Sequence, residues 1–194
     1  MKFRASFSVL NLWDKGRIDW AINSYFKLEE ITNQAMDEGK ELHEYWQQHT
    51  KETKRLPKEF GNIPLINPQT ELKLEYTASE WLELVGVIDC LDNKIIYEYK
   101  TGKTRASAYK NTYQAGMYAL LTYLHGIKTK ECQILHYDQH KDKSDSLIIP
   151  ITDELIEKTS EWIENVAWDM RNFIIKHKLE EKYKKNDKNL KTSS

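Results

Sequence analysis

The apolar residues of this chain change their spacing once, near residue 70, and that change limits the folds open to it. From Ile18 to about Glu52 they recur at helical spacing: Ile18, Ala21, Ile22, Tyr25, Phe26, Ile31, Ala35, Leu42 and Trp46. The stretch exceeds the roughly 8–20 residues of a globular helix, so a break is expected near Thr32-Asn33. Lys54 to Pro68 holds three of the four prolines and Gly61, and reads as a loop. Beyond it the period is two. Leu72, Leu74 and Tyr76 alternate with Lys73 and Glu75 in one strand. Trp81 to Leu91 is a second, with Val85, Val87 and Asp89 on one face and Leu84, Gly86 and Ile88 on the other. Asp92-Asn93 is a turn, and Lys94 to Lys100 a third strand with Ile96, Glu98 and Lys100 on one side. The connections are short, so these strands form an antiparallel meander.

The remainder alternates again. Ser107 to His125 reads as a helix, with Tyr113, Met117, Leu121 and Leu124 on one stripe and Gly126 as its stop. Cys132 to Tyr137 is a strand and Ser146 to Ile151 another. Thr152 or Asp153 caps a long final helix through Leu155, Ile156, Trp162, Ile163, Val166, Met170, Phe173 and Ile174. From about Lys176 the chain is Lys-rich and polar, which reads as a frayed helix or disorder. The order predicts an α+β or mixed α/β domain over residues 1–178 with one central sheet, and a tail over 179–194. The helix after the third strand can carry the chain back so that the next strand lies parallel to an existing one.

The 194 residues and 40% hydrophobic content suffice for one core. Twenty-nine Lys plus Arg against 30 Asp plus Glu exclude a binder that works by bulk positive charge. They leave open a nuclease, in which metal ions held by carboxylates neutralise phosphate locally. Cys90 and Cys132 are the two cysteines, too few for a four-Cys zinc or iron–sulfur site. No apolar run is long enough for a membrane helix and the N-terminus is no signal peptide, so a soluble, cytoplasmic protein is expected.

Chemistry concentrates in Gly86-Val87-Ile88-Asp89 and Tyr97-Glu98-Tyr99-Lys100-Thr101-Gly102-Lys103. Hairpin geometry brings Asp89, Glu98 and Lys100 toward one point. Two convergent carboxylates suit Mg²⁺ or Mn²⁺, and a lysine beside them can stabilise a phosphorane-like transition state or handle the attacking water. A charged strand face with a surface ion pair is the bland alternative. Gly39 and His43, four apart, share a helical face, where a glycine permits close approach and a histidine can reach a metal. Gln114 and Tyr118 share another face and can hold a phosphate or the metal cluster's surroundings. Glu75 shares a strand face with Lys73, and an ion pair is its simple reading.

In order, these pieces resemble the PD-(D/E)XK phosphodiesterase superfamily, and within it the RecB-like exonuclease branch. That branch runs from a Ser-rich segment, here Ser6 to Trp13, through Gly39 with His43, Gly86 with Asp89, and Glu98 to Gly102, to Gln114 with Tyr118. The resemblance implies a restriction-endonuclease-like core with a mixed sheet of about four to five strands flanked by helices. It implies a metal-dependent deoxyribonuclease, most often an exonuclease, serving repair, recombination, phage or CRISPR-type DNA processing. Its partner would be DNA, single-stranded or with free ends. It makes His43 a metal ligand, Asp89 the bridging ligand, Glu98 the second carboxylate, the Tyr99 carbonyl a further ligand and Lys100 the catalytic lysine. Gln114 and Tyr118 would contact DNA or organise the site. The sequence departs in having Ile88 where a proline can precede the Asp, and Glu98 where Asp is usual. The iron–sulfur cysteines of many relatives are missing, so no cluster is expected, and no P-loop marks a helicase.

Tyr109 and Tyr113 are stacking candidates, with Lys103 beside them as a DNA contact. The six tryptophans read as core. His136, Asp138 and His140 alternate and could face one zinc if the strand ran past Tyr137, but no further ligand is apparent and a polar strand edge is the simpler reading. A DNA endonuclease of the same fold, or a non-catalytic DNA-binding or assembly module, stays open beside the exonuclease.

Overall fold

Strand β3 (Leu82–Asp92) organises the sheet, and a computed structural model of the chain describes residues 2–28 and 34–183 around it. Its even-numbered residues from Leu82 to Cys90 are all buried, while Val87 on the other face is exposed. This is the alternation the sequence predicts. One edge of β3 pairs antiparallel with β2 (Gln69–Thr77) along most of its length. Two strands share the other edge. β1 (Phe3–Ser6) runs parallel over Leu82–Val85, and β4 (Ile95–Thr101) antiparallel over Cys90–Asp92. Between them, residues 86–89 have no strand partner on that edge. β4 continues parallel to β5 (Glu131–Asp138), which pairs antiparallel with β6 (Lys143–Pro150).

The meander and the parallel β4–β5 crossover match expectation. The sheet has six strands rather than four to five. The added strand is β1, whose four residues carry too short a pattern to announce themselves.

Helix α1 (Phe7–Asp14) starts where β1 stops, with the Ser6 hydroxyl accepting from the Val9 N–H at 3.5 Å. Helix α2 (Ile18–Phe26) ends on Lys27 in the left-handed conformation, and helix α3 spans Gln34–Thr53. The expected break at Thr32-Asn33 lies outside the described residues. The loop over 54–68 is pinned by Asp92, whose carboxylate accepts the N–H groups of Ile66 and Asn67.

The helix expected over Ser107–His125 is shorter. A 3-10 turn, Ala106–Tyr109, precedes helix α4 (Gln114–Leu124). The Asp145 carboxylate accepts the Ala106 N–H, and the Thr112 hydroxyl donates to the Tyr109 carbonyl. These side chains offer the backbone an alternative to a continuous helix. Gly126, at φ 79°, follows the end of α4 as expected.

Helix α5 (Asp153–Lys176) is capped by Thr152, whose hydroxyl accepts from the Leu155 N–H at 3.1 Å. The larger core packs α1, α4 and α5 on one face of the sheet. A second, around Trp46, Leu56, Phe60 and Tyr99, lies under α3 and the loop. Leu179 and Tyr183, beyond the expected boundary at 178, still pack on the larger core. Of the tryptophans expected inside, Trp20 and Trp168 are about half exposed. Among the described residues no helix is long and apolar enough to cross a membrane.

Helix α4 is buried at every residue from Gln114 to Thr122, because α5 covers the side the sheet does not. At the crossing, a Cβ on Gly116 would overlap the Thr159 hydroxyl and methyl. Gly116→Ala should therefore cost about 3 kcal/mol by overpacking, lowering the melting temperature by roughly 10 °C. The double variant Gly116→Ala/Thr159→Ala should recover much of it, which paired thermal melts would read.

Candidate active site

The site lies where β1 and β4 part on the shared edge of β3. Past the Cys90–Tyr97 pair the β3–β4 ladder ends, and the Asp89 side chain takes over. Its Oδ2 accepts the Tyr99 N–H at 2.8 Å. A strand residue points its N–H and C=O to the same edge, so the Tyr99 carbonyl also faces β3. The Tyr99 ring turns away into the smaller core, where its hydroxyl meets Thr50 at 3.2 Å.

Two glycines set the approach of the helices. A Cβ on Gly39 would lie 2.9 Å from Thr101 Oγ1, so glycine lets α3 close on the end of β4 without displacing that hydroxyl. One turn later His43 Nδ1 stands 4.0 Å from Asp89 Oδ2. A Cβ on Gly86 would lie 2.7 Å from Leu121 Cδ1, so this glycine lets α4 rest on β3. That contact delivers Gln114 and Tyr118.

Glu98 is the hub. It is 4% exposed, and its Oε1 accepts from Lys100 Nζ at 2.7 Å and Gln114 Nε2 at 2.6 Å. Gln114 Nε2 also meets the Tyr118 hydroxyl at 3.1 Å. Glu98 Oε2 is buried and, among the described residues, receives no hydrogen bond.

The electrostatics follow from this crowding. Burial, then the neighbouring Glu98 charge, pushes the Asp89 carboxyl well above the usual carboxylate range, against the Tyr99 N–H and Lys100. Burial pulls the Lys100 ammonium down, but the Glu98 carboxylate, by charge and hydrogen bond, and Asp89 more than compensate, so its pKa is raised. Lys100 therefore stays an ammonium. Burial, with Lys100 adding to it, lowers His43 to about 4. At neutral pH its imidazole is uncharged and free to act as a ligand.

The donor set fits a hard divalent cation. Two crowded carboxyl groups, Asp89 and Glu98, lie side by side, the neutral His43 imidazole stands 4.0 Å from Asp89, and a cation beside them would relieve the crowding. Among the described residues no three His, Cys, Asp or Glu side chains already stand as a closed cage.

The remaining expected residues divide. Tyr109 joins the site, its ring centre 5.4 Å from Lys100 Nζ. Tyr113 does not, because its ring stacks on Trp162 at 4.7 Å. Lys103 is exposed on the loop after β4. Gln114 and Tyr118 are nearly buried and support Glu98 from behind. Glu75 pairs with Lys73 and Arg4, as its simple reading held. The zinc reading of His136, Asp138 and His140 fails. Both His136 nitrogens are engaged, with Asp145 and the Gly102 carbonyl, and Asp138 holds Lys141 and the His140 N–H.

Two clefts flank the site. One, of about 700 Å³, is lined by His43, Gly39, Glu71 and Thr101, and the other, of about 560 Å³, by Lys100, Tyr109, Val87 and Ser6. Sequence reasoning missed Glu71, which lines the cleft beside His43 and has a left-handed φ of 50°, where the β2–β3 ladder skips it. No spacing signal distinguishes it from other strand glutamates.

The sequence matches no protein-family model and no curated protein. Solved structures do share its fold. An alkaline exonuclease from Laribacter hongkongensis superposes with a TM-score of 0.57 at 14% identity, over 91% of this chain and 92% of that one. The same enzyme in complex with dAMP gives 0.50, at 14% identity over the same shares. A protein from Eubacterium rectale assigned as an exonuclease gives 0.59 at 12% identity, over 88% and 82%. At these identities the likeness shows a common fold, a mixed sheet between helices.

Proposed function

We propose that this chain is a metal-dependent deoxyribonuclease of the PD-(D/E)XK type, an exonuclease akin to the RecB-like branch and without an iron–sulfur cluster. The observation that carries the reading is Glu98: a buried carboxylate with one oxygen tied to Lys100 and Gln114 and the other unsatisfied, next to a crowded Asp89. A structural ion pair with Lys100 does not require a second buried carboxyl, Asp89, crowded against Glu98. The fold shared with exonucleases agrees with it, and the two flanking clefts suit a polymer that passes across the site.

His43, Asp89, Glu98 and the Tyr99 carbonyl would hold Mg²⁺ or Mn²⁺. Such an ion would neutralise the phosphate and lower the pKa of a coordinated water. The protein's own groups do the rest. Gln114 fixes the rotamer of Glu98. Lys100, kept protonated by Glu98, places a positive charge where the phosphate oxygens gain negative charge, and acts as a cation rather than as a base. Tyr109 offers a flat face beside Lys100 for a base at the reacting end.

The test is incubation with linear and covalently closed DNA, single- and double-stranded, with Mg²⁺, Mn²⁺ or EDTA. Linear DNA should be consumed with either metal and left intact in EDTA, and closed circles should survive. Cutting of closed circles would give the endonuclease reading. Binding without cleavage under every condition would give the non-catalytic one.

His43 has its own expected result. His43→Ala removes one neutral donor and no charge, so it should raise the Mn²⁺ concentration for half-maximal cleavage by about tenfold, and excess Mn²⁺ should restore part of the rate. A metal titration beside wild type reads this. An unchanged titration would make His43 a bystander.

A further inference from the structure

His136 is 2% exposed, a polar ring in a sheet face where an aliphatic side chain would pack without desolvation. Its two nitrogens are both committed. Nε2 lies 2.7 Å from the Gly102 carbonyl oxygen, which can only accept, so Nε2 carries a proton. Nδ1 shares a proton with Asp145 Oδ1 at 2.6 Å. Asp145 in turn accepts the Ala106 N–H at 3.2 Å. The two residues therefore tie both ends of a single loop, from the Gly102 carbonyl to the Ala106 N–H. Residues 103–105 between these points are exposed. The Gly102 N–H donates to the Tyr137 carbonyl at 3.2 Å, on the same side of the loop as His136.

That loop joins the two parts of the site that lie on either side of it. Two residues before Gly102 is Lys100, which stands opposite His136 in the β4–β5 register. Three residues after Ala106 is Tyr109, whose ring faces the Lys100 ammonium. Asp145 stands opposite His136 in the β5–β6 register. The clamp is thus built across three adjacent strands and acts on the chain between lysine and tyrosine.

We propose that His136 and Asp145 form a positioning pair that fixes the loop after β4 and thereby holds Lys100 against Glu98 and Tyr109. The proposal rests on the nuclease reading of that site. Neither residue touches the reacting atoms. Loss of the pair lets the lysine wander, which costs turnover more than affinity, because the lysine's charge matters most where the phosphate oxygens gain negative charge, and the proposed metal ligands lie outside the loop.

The experiment measures kcat and KM for linear DNA at saturating Mn²⁺, per folded molecule by thermal melt, for H136F, H136Q, D145A and K100M. H136Q keeps a donor for the Gly102 carbonyl, and H136F keeps none. H136F and D145A should each lower kcat by about tenfold at unchanged KM, and H136Q should recover most of the rate. A structural role alone would lower the folded fraction and leave kcat per folded molecule unchanged, and that result overturns the proposal. So does an H136Q as slow as H136F. If H136F does not fold, H136Q and the half-exposed D145A decide: a fast H136Q with a slow D145A supports the clamp, and the reverse or equal rates overturn it. K100M separates the two readings. An inactive K100M with fully active His136 variants removes the clamp alone. A K100M as active as wild type removes the nuclease site, and the clamp with it.

Discussion

Asp89→Asn should abolish cleavage and make the metal-free protein more stable. On the proposed reading, the activity loss follows from removing a charged metal ligand. A metal supplies several kcal/mol of charge stabilisation, and about 4 kcal/mol corresponds to about a thousandfold in rate. The stability gain follows from the crowding of Asp89 by burial and by Glu98, which raises its pKa. Between the ordinary carboxyl value and the raised one, the native state holds a proton that the unfolded chain has lost. Stability therefore falls as pH rises through that window, and the penalty persists above it. Asparagine removes the penalty and keeps an oxygen for the Tyr99 N–H. Melting temperatures in EDTA at pH 5 and pH 8 check this: the advantage of Asp89→Asn over wild type should widen at the higher pH. Mn²⁺ should raise the melting point of wild type and not of the variant. A variant that melts lower than wild type at pH 8, or that still cleaves, would remove Asp89 from the site.

Lys100→Met should abolish cleavage with the opposite effect on stability. Its ammonium is the cation that buried Glu98 holds, at 2.7 Å, and Asp89 benefits as well. Taking out one member of a buried pair leaves the other unpaired, which costs about 3 kcal/mol, or roughly 10 °C here. Mn²⁺ should restore more melting temperature to Lys100→Met than to wild type, since the ion supplies the missing positive charge. It should not restore turnover, because in the proposed mechanism the Lys100 charge itself meets the phosphate oxygens and the metal does not replace it there. A Lys100→Met protein as stable as wild type in EDTA would mean that Glu98 finds another partner.

The meander was legible because alternation over Leu72–Tyr76, Trp81–Leu91 and Lys94–Lys100 leaves one arrangement for short turns. Asp89, Glu98 and Lys100 follow directly from that hairpin, and Gly39 permits the close approach its position suggests, whereas the like role of Gly86 shows only once α4 is placed on β3. What escaped depends on partners distant in sequence. β1 is four residues long, and only its pairing with Leu82–Val85 makes it a strand. The break before α4 depends on Asp145, nearly forty residues from Ala106. His136 looks like a strand-edge or zinc residue until Gly102 and Asp145 are placed against it. The tyrosines separate for a similar reason: Tyr113 has Trp162 from α5 to stack on, and Tyr109 has Lys100.

The burial of α4 on all sides has a consequence for how the protein is made. Gln114 holds Glu98 only if α4 is seated, and α4 is covered only when α5 lies across it at Gly116 and Thr159. The ribosome delivers Asp89, Glu98 and Lys100 well before it delivers Asp153–Lys176. At about 5–20 residues per second that interval is several seconds or more. During that time the carboxylates are present on a nascent chain without the support of Gln114. The hairpin can bring the three side chains together early, but the Gln114 support of Glu98 is completed only after the segment that covers α4 has been synthesised.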